Sequence, residues 1–398
     1  MMRVFRKRRR TSPHKEEEIP TQVSENIPCV DQKMIQLPLS EVVPRDMQQS
    51  LRGSKKRFSE EIDYNLSLLT KLLPTKNLLC ERFLVGDISQ TRVILTYLNH
   101  RANPGIVQEV GERIKGIKTD IVLDSIYIER NIEDSHLSPF PQIEATQEPD
   151  VAESALLQGR VAIFVDSSPD VLLAPATFFD LMDTKDDVYM RWFIAASFFR
   201  IARYVMFFIA TSLPALFIAL SSYNPEMLPT KFLLLLLASR EETPLPIYIE
   251  AFIMMGVIEA IRMMMIRMPS QVGTVIALLS GITLVIAGLS AGFIGPGVVI
   301  MATLAMIASF GLPNFDLRIS VRMIQFFTML MTTVLGIFGF AVAFFMITVH
   351  LATLKSFGIP YTAPLAPLEP SGWGHTILRK TTEQMPQDET YQPLGEQR

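Results

Sequence analysis

Hydrophobic and polar positions divide this chain into two parts with different patterns. In the first part, short apolar runs alternate with polar turns, whereas residues 268–315 and 323–354 contain no Asp, Glu, Lys or Arg. A helix needs about 20 apolar residues to cross a bilayer, so these runs are long enough for membrane spans and too long for most soluble cores. The sequence therefore predicts a soluble domain followed by a multi-pass membrane domain.

The first part predicts an α+β domain. Apolar residues in RFSEEIDYNLSLLTKLL recur three and four positions apart, which is typical of an amphipathic helix. RFLVGDISQTRVILTYL predicts two strands around a Gly-Asp turn, and Pro104–Lys115 predicts a helix with proline in its first turn. TDIVLDSIYIER predicts a strand that leads into a short helix, and GRVAIFVD with DVLLAP predicts a β-hairpin around Ser-Ser-Pro.

The second part predicts an all-α membrane domain, whose first span covers residues 204–223. Three arginines precede or begin this span, and positive residues favour the cytoplasmic side of a membrane: Arg191, Arg200 and Arg203. The soluble domain is therefore expected to be cytoplasmic. Two further spans are predicted over 271–291 and 296–312, separated by the breaker GFIGPG, and residues 323–349 predict one tilted helix with a candidate kink at Gly-Ile-Phe-Gly.

The segment IYIEAFIMMGVIEAIRMMMIRMP carries charge at membrane depth. Glu250 and Glu259 are nine residues apart, about 900° of helical rotation, so they point to opposite faces of one helix. A span exposed to lipid all round would place at least one carboxylate in hydrocarbon. We expect a helix that is packed among others, re-entrant or lining an aqueous path, and the total is about four to five membrane segments.

These patterns divide the chain into four regions. They are a flexible basic arm over 1–46, the soluble domain over 47–191, the membrane domain over 192–354, and a Pro-rich, charged tail over 355–398. The arm is expected either to contact anionic lipid headgroups or to remain a solvated tail, and the tail is expected to be extended and pinned to the soluble domain by its apolar residues. The two cysteines are far apart along the chain, so neither a disulfide framework nor a zinc site is expected.

No sequence motif favours an enzyme. The sequence contains no Gly-rich phosphate loop, zincin motif or nucleophile elbow, and its five histidines are scattered without metal-ligand spacing. No catalytic residue, cofactor or metal is expected.

Polar residues at membrane depth are the candidate functional groups. The hydroxyls of Thr283, Ser290 and Thr303 are consistent either with tight helix packing or with the wall of a pore, which an oligomer would build around a central axis. Glu259 and Arg262 are three residues apart and can neutralise each other on one helix face, as a packing ion pair or as a switch element at the membrane boundary. With Glu250, these residues form the candidate pore or gating set.

Several blocks of sequence resemble one family. They occur in order between residues 52 and 367 and include RGSKKRFSEEIDYNLSLL, DIVLDSIYIERNIED, SPFPQIEATQEPDVAESALLQGRVAIFVDSSP and IASFGLPNFDLRISVRMIQFF. The sequence resembles the GerA spore-germination proteins of the A-subunit type. The resemblance implies a germinant-receptor subunit in the endospore inner membrane, without catalysis or nucleic-acid binding. It also implies a homo-oligomeric channel that releases monovalent cations, together with a transporter-like B subunit and a lipoprotein C subunit.

Two departures from the family pattern leave alternatives open. Only about fifty residues precede RGSKKRF, which implies that the first soluble subdomain of the family is missing or reduced, and EAIRMMMIRMP replaces the usual REAG pattern. The second departure points to the SpoVAF-like branch, which is linked to dipicolinic acid or ion release with SpoVA-type proteins. A non-conducting scaffold also stays open, and a secondary transporter is the weakest alternative because no internal repeat is visible. The resemblance makes the predicted hairpin a candidate coupling surface, with Arg160 and Asp166 as its test residues.

Overall fold

The computed structural model describes residues 27–28, 56–184, 193–238, 243–267, 270–366 and 391. The predicted basic arm therefore lies outside the described residues, apart from a two-residue strand, and so does most of the predicted tail. Among the described residues, a mixed soluble domain precedes a set of long apolar helices, so the α+β region and the helical region of the prediction are confirmed.

The soluble domain is built on one antiparallel sheet. Its strands follow the order β1-β2-β3-β5-β6-β4, and they are β1 (Ile27–Pro28), β2 (Leu78–Val85), β3 (Thr91–Leu98), β4 (Glu144–Thr146), β5 (Val161–Val165) and β6 (Val171–Ala174). Both predicted strand pairs form, since β2 pairs with β3 and β5 pairs with β6. Proline is tolerated in β1 because β1 is an edge strand.

Helices cover both faces of the sheet. One face packs against α1 (Ile62–Leu72) and α4 (Pro149–Gln158), and the other packs against α2 (Pro104–Lys115) and α3 (Ser125–Ile132). Strands buried on both faces are apolar throughout rather than alternating, and every residue of β5 and β6 is buried. The predicted helix over Pro104–Lys115 has the bounds that its sequence indicates.

The strand predicted in front of α3 is wrong. Residues 117–124 form no strand, and they pack instead against the turn between β2 and β3. Asp87 donates its backbone N–H to the carbonyl of Thr119 at 3.1 Å, and Val122 donates to Ser89 Oγ at 3.0 Å. Hydrogen bonds to side chains and to the turn satisfy the backbone polar groups of this segment. Its β-rich composition therefore does not lead to sheet pairing.

The absence of a disulfide was also predicted, and this too is wrong, because Cys80 is disulfide-bonded. Cys80 lies on β2, where it is the cross-strand partner of Ile27 in β1. Separation along the sequence says nothing about distance across a sheet, so cysteines far apart in the chain can still meet the geometric requirement of a disulfide.

Six α-helices make up the apolar part of the chain that the structure describes. They are α5 (Phe193–Ile218), α6 (Thr230–Ala238), α7 (Ile247–Arg267), α8 (Ser270–Ser290), α9 (Pro296–Phe310) and α10 (Phe315–Thr353). Among the described residues, two stretches are long and apolar enough to cross a membrane, Ile194–Tyr223 and Phe315–Thr353, while α9 is a shorter apolar helix. The predicted total of four to five membrane segments stays a prediction.

The helix α10 reverses direction, so the prediction of one tilted helix over 323–349 is wrong. Gly336 has φ 63° and ψ −143°, which is not helical, and a Cβ placed on Gly339 would collide with the carbonyl of Met331. Ser320 and His350 both contact the adjacent residues Ser138 and Pro139. They would be about 45 Å apart on a straight helix. The kink expected at Gly-Ile-Phe-Gly is therefore a sharp turn between two antiparallel segments.

The far end of α5 supports this turn. A π-helical turn, Ala219–Tyr223, continues α5, and the Tyr223 ring lies 3.1 Å from where a Cβ on Gly336 would be. The Tyr223 hydroxyl donates a hydrogen bond to the carbonyl of Thr333. The helix α5 and the two arms of α10 therefore run side by side, with the turn at the end remote from the soluble domain.

Candidate functional site

The three hydroxyl residues of the candidate pore face outward in the single chain. Thr283 and Ser290 are exposed on α8, and Thr303 is exposed on α9. Thr303 Oγ1 donates to the carbonyl of Val299 at 2.8 Å, which satisfies the hydroxyl within its own helix. Any pore that these residues line must therefore be formed between chains, and their role stays a prediction.

The two carboxylates of α7 lie in different environments. Glu250 is 1% exposed, and its Oε2 accepts a hydrogen bond of 2.8 Å from Gly295 N. Gly295 is the residue that precedes the first turn of α9, so the carboxylate lies at the positive end of that helix. Glu259 lies nine residues further along, just past the middle of α7.

The predicted pair between Glu259 and Arg262 forms. Arg262 Nη1 donates to Glu259 Oε2 at 3.1 Å, and Arg322 of α10 donates to the other oxygen at 2.7 Å. Arg262 Nη2 also donates to Ser309 Oγ at 3.2 Å, at the end of α9. One carboxylate thus connects α7 to α10, and Arg262 connects both to α9.

Arg160, one of the two proposed coupling residues, does not lie on a surface. Its side chain is 3% exposed and forms an ion pair of 2.8 Å with Glu144, while its Nε donates to the carbonyl of Pro175 at 2.8 Å. Burial raises the pKa of Glu144, and the charge of Arg160 opposes that rise. The pair fixes β4 and the segment after β6 to the start of β5.

Asp166, the other proposed coupling residue, lies at the end of the β5–β6 hairpin. Its carboxylate accepts a hydrogen bond of 2.9 Å from Arg92 Nε, and the same guanidinium contacts Asp63 at 3.2 Å. The Arg92 side chain is 51% exposed, so this network is a surface contact between α1 and the sheet.

The α+β domain and the apolar helices meet at a different segment, Ser138–Gln142. Ser138 Oγ lies 2.9 Å from Nε2 of His350, and Ser320 Oγ donates to the carbonyl of Pro139. Tyr361 OH donates to the carbonyl of Pro141 at 2.8 Å. We call Ser138–Gln142 and its partners on α10 and the C-terminal hairpin the junction.

The C-terminal hairpin completes the junction. It consists of β7 (Lys355–Ser356) and β8 (Ile359–Pro360), and Ser356 Oγ donates to the carbonyl of Gln142 at 2.7 Å. Phe357 N donates to Asp134 Oδ2 at 2.6 Å, and the guanidinium of Arg113 lies 4.6 Å from the centre of the Phe357 ring. The expected pinning of the tail to the soluble domain therefore holds over residues 355–361.

An apolar cluster lies beneath these hydrogen bonds. Its members come from the soluble domain, α5, α9 and α10 and from the tail, and they include Phe140, Met182, Ala210, Leu312, Leu317 and Tyr361. Because an interior packs as densely as an organic crystal, the soluble domain and the two arms of α10 cannot shift independently. Sequence reasoning missed these junction residues, although the block SPFPQ and the segment GIPY held the signal, which is an aromatic residue next to proline.

Comparison with known proteins fits this architecture. Residues 34–391 match the family model described as Bacillus/Clostridium GerA spore germination protein. The chain belongs to the GerA family. It is 38% identical over 320 residues to the uncharacterized membrane protein YfkQ of Bacillus subtilis (strain 168), covering 80% of this chain and 62% of that protein.

Further relatives of this GerA-family chain include the spore germination protein KA of Bacillus subtilis (strain 168), which is 36% identical over 349 residues. That match covers 88% of this chain and 63% of the relative, so the chain spans less than two thirds of the length of these two proteins. A crystal structure of the N-terminal domain of the A subunit of the Bacillus megaterium spore germinant receptor GerK3 is 41% identical, with a TM-score of 0.26. It covers 31% of this chain and 98% of that chain.

One carboxyl group of this GerA-family chain is buried beside α10. Glu129 on α3 is 7% exposed. Burial first, and then the negative charges of Asp316, Glu133, Asp170 and Asp124, together raise its pKa to about 8. Glu129 is therefore protonated at neutral pH in the folded chain, next to the first turn of α10.

Glu129→Gln is expected to stabilise the chain above neutral pH. Between the ordinary pKa of 4.5 and the folded value of about 8, the unfolded chain is ionised while the folded chain holds a proton, so stability falls as pH rises. The variant removes this loss, which is roughly 4 kcal/mol at pH 8. Thermal unfolding of the full chain in detergent at pH 4.5 and pH 8 measures the effect; exposed Glu60→Gln is the control. An equal gain in stability at both pH values would contradict the raised pKa of Glu129.

Proposed function

We propose that this chain is an A-type subunit of a spore germinant receptor, which assembles into an oligomer that conducts monovalent cations. It would reside in the inner membrane of the endospore, with its soluble domain on the cytoplasmic side. The junction is the observation that carries the proposal. A soluble domain that contacts both arms of α10 can transmit a conformational change to the membrane helices, because packed interfaces are bistable rather than continuously deformable.

The outward hydroxyl residues support an oligomeric pore. In a ring of identical subunits, an exposed helix face is buried against neighbours or lines the central axis. Thr283, Ser290 and Thr303 supply hydroxyls on such faces, while α8 is otherwise apolar on its exposed positions. Hydroxyls combined with apolar constrictions are a means of controlling ion passage.

Membership in the GerA family supports the proposed partners. They are a transporter-like B subunit and a lipoprotein C subunit, to which the junction would respond. Association with SpoVA-type proteins and release of dipicolinic acid is the alternative assembly.

Liposomes that contain the full chain are expected to release potassium, and Thr283→Phe or Ser290→Phe should lower the release several-fold because an aromatic ring narrows a hydroxyl-lined passage. Potassium efflux is measured with an ion-selective electrode. Leu284→Phe is the matched control, since Leu284 is already large, exposed and on the same helix.

Oligomers that form normally but release no potassium would contradict the channel. They would favour the alternative function of a non-conducting scaffold. In that case, deletion of residues 57–175 should abolish recruitment of partner proteins. If Thr283→Phe and Ser290→Phe leave the potassium efflux unchanged, these hydroxyls do not line the passage.

A further inference from the structure

Three arginines lie near a single carboxylate, Glu259, in the second half of α7. Arg262 comes from α7, while Arg318 and Arg322 come from α10, where they are four residues apart on one helix face. Arg262 and Arg322 both contact Glu259, at 3.1 and 2.7 Å. The Arg318 guanidinium lies 5.6 Å from the centre of the Phe315 ring.

Positive charge exceeds negative charge in this cluster. Arg262 lies within electrostatic range of both Arg318 and Arg322, so the three cations repel one another. The negative charge of Glu259 offsets one of these positive charges, and the negative charge of Asp316 offsets that of Arg318. Among the described residues, one positive charge therefore remains without an opposite charge, in a place where the ion-paired side chains are only 12% and 15% exposed. Cations removed from water are usually paired, because leaving them unpaired is costly.

The arginines also hold unused hydrogen-bond donors. The Nε atoms of Arg262, Arg318 and Arg322 are buried, and none has a hydrogen-bond partner among the residues that the structure describes. Most buried polar groups are hydrogen-bonded, so three such donors in one cluster indicate an acceptor other than the residues that the structure describes. A guanidinium presents its donors as a planar fork that matches the oxygens of a phosphate group.

The cluster lies at the membrane boundary that faces the soluble domain. Ser320, between Arg318 and Arg322, donates a hydrogen bond to Pro139 of the junction. Ser309, which accepts a hydrogen bond from Arg262, belongs to the last turn of α9. Anionic phospholipid headgroups of the cytoplasmic leaflet attract basic residues at this depth.

We propose that Arg262, Arg318 and Arg322 form a binding site for a phosphate group. Two sources share this chemistry, the headgroup of an anionic phospholipid and a soluble phosphate. In either case the bound anion offsets the excess positive charge and connects α7 to the first arm of α10, one helical turn from the junction. Occupancy of the site therefore stabilises the arrangement through which the soluble domain contacts the membrane helices.

The lipid source is tested on the full chain in nanodiscs of equal parts phosphatidylglycerol and phosphatidylcholine. After extraction into detergent, native mass spectrometry measures the ratio of the two lipids retained by the protein. The wild type should retain phosphatidylglycerol, and Arg318→Gln should lower the ratio about tenfold because it removes one charge-assisted contact. Arg267→Gln, at an exposed arginine on α7, the helix that carries Arg262, is the control and should retain the wild-type ratio.

The soluble source is tested on delipidated protein titrated with inorganic phosphate by calorimetry. Binding that Arg318→Gln weakens and Arg267→Gln does not, without any lipid preference, would assign the site to a soluble phosphate. Arg318→Lys keeps the positive charge but loses the planar fork of donors, so it should weaken binding to an intermediate degree. This variant provides the test if Arg318→Gln does not fold. Equal lipid ratios in the wild type and the Arg318 variants, with no phosphate binding, would overturn the proposal.

Discussion

Gly336→Leu is expected to lower the free energy of unfolding by about 3 kcal/mol or more. The backbone at Gly336 has φ 63° and ψ −143°, a region that residues with a Cβ rarely adopt. A side chain there would also collide with Tyr223, whose ring atoms lie 3.1 Å from the Cβ position. Detergent-induced unfolding in mixed micelles, followed by circular dichroism, measures the effect.

A second glycine of the membrane helices provides the control. Gly256 lies within α7, and a Cβ added there would meet nothing within 4 Å. Gly256→Ala should therefore be neutral or stabilise the chain by about 0.5 kcal/mol, since alanine is the better helix former. If Gly336→Leu unfolds at the same detergent fraction as the wild type, α10 does not turn at that residue.

Arg160→Met is expected to destabilise the soluble domain by about 3–5 kcal/mol, because it leaves the carboxylate of Glu144 buried without its cation. Asp166→Asn removes an exposed ion pair and should cost less than about 1 kcal/mol. Chemical unfolding of the full chain, followed by circular dichroism at 222 nm, compares the stabilities of the two variants.

A double variant separates the ion pair from simple packing. Glu144→Gln removes the charge that Arg160→Met leaves unpaired, so the double variant should be more stable than Arg160→Met alone. If Arg160→Met and Asp166→Asn have equal effects, the buried pair does not stabilise the domain. A loss of germination in Arg160→Met would then report on coupling and not on folding.

Most of the soluble domain could be predicted from the sequence because its signals are local. Alternating or continuous apolar runs bounded by turn residues predicted β2, β3, β5 and β6, and proline followed by amphipathic spacing predicted α2. The segment before α3 has the same β-rich composition, but the turn between β2 and β3 satisfies its backbone. Composition alone cannot distinguish these two outcomes.

The candidate site was predicted only where its contacts are close in sequence. The spacing of Glu259 and Arg262 gave their ion pair, but nothing local indicates that Arg322, 63 residues away, binds the same carboxylate. Likewise, Ser138 and His350 are 212 residues apart. The spacing of apolar residues in α10 is the same for one long helix and for two antiparallel arms. Only the tertiary contacts of Ser320 and His350 distinguish them.

The central structural claim is that the soluble domain contacts both ends of the α10 hairpin at one face of the membrane. Single cysteines at exposed positions near those ends, Ile319 and Val349, and near the turn, Met227, test it directly. The cysteines are introduced into a background in which Cys29 and Cys80 are serine, and sealed vesicles are labelled with a membrane-impermeant maleimide. Cysteines at 319 and 349 should react from the same side and the cysteine at 227 from the opposite side. Reaction of 319 and 349 from opposite sides would show one straight span and would contradict the junction.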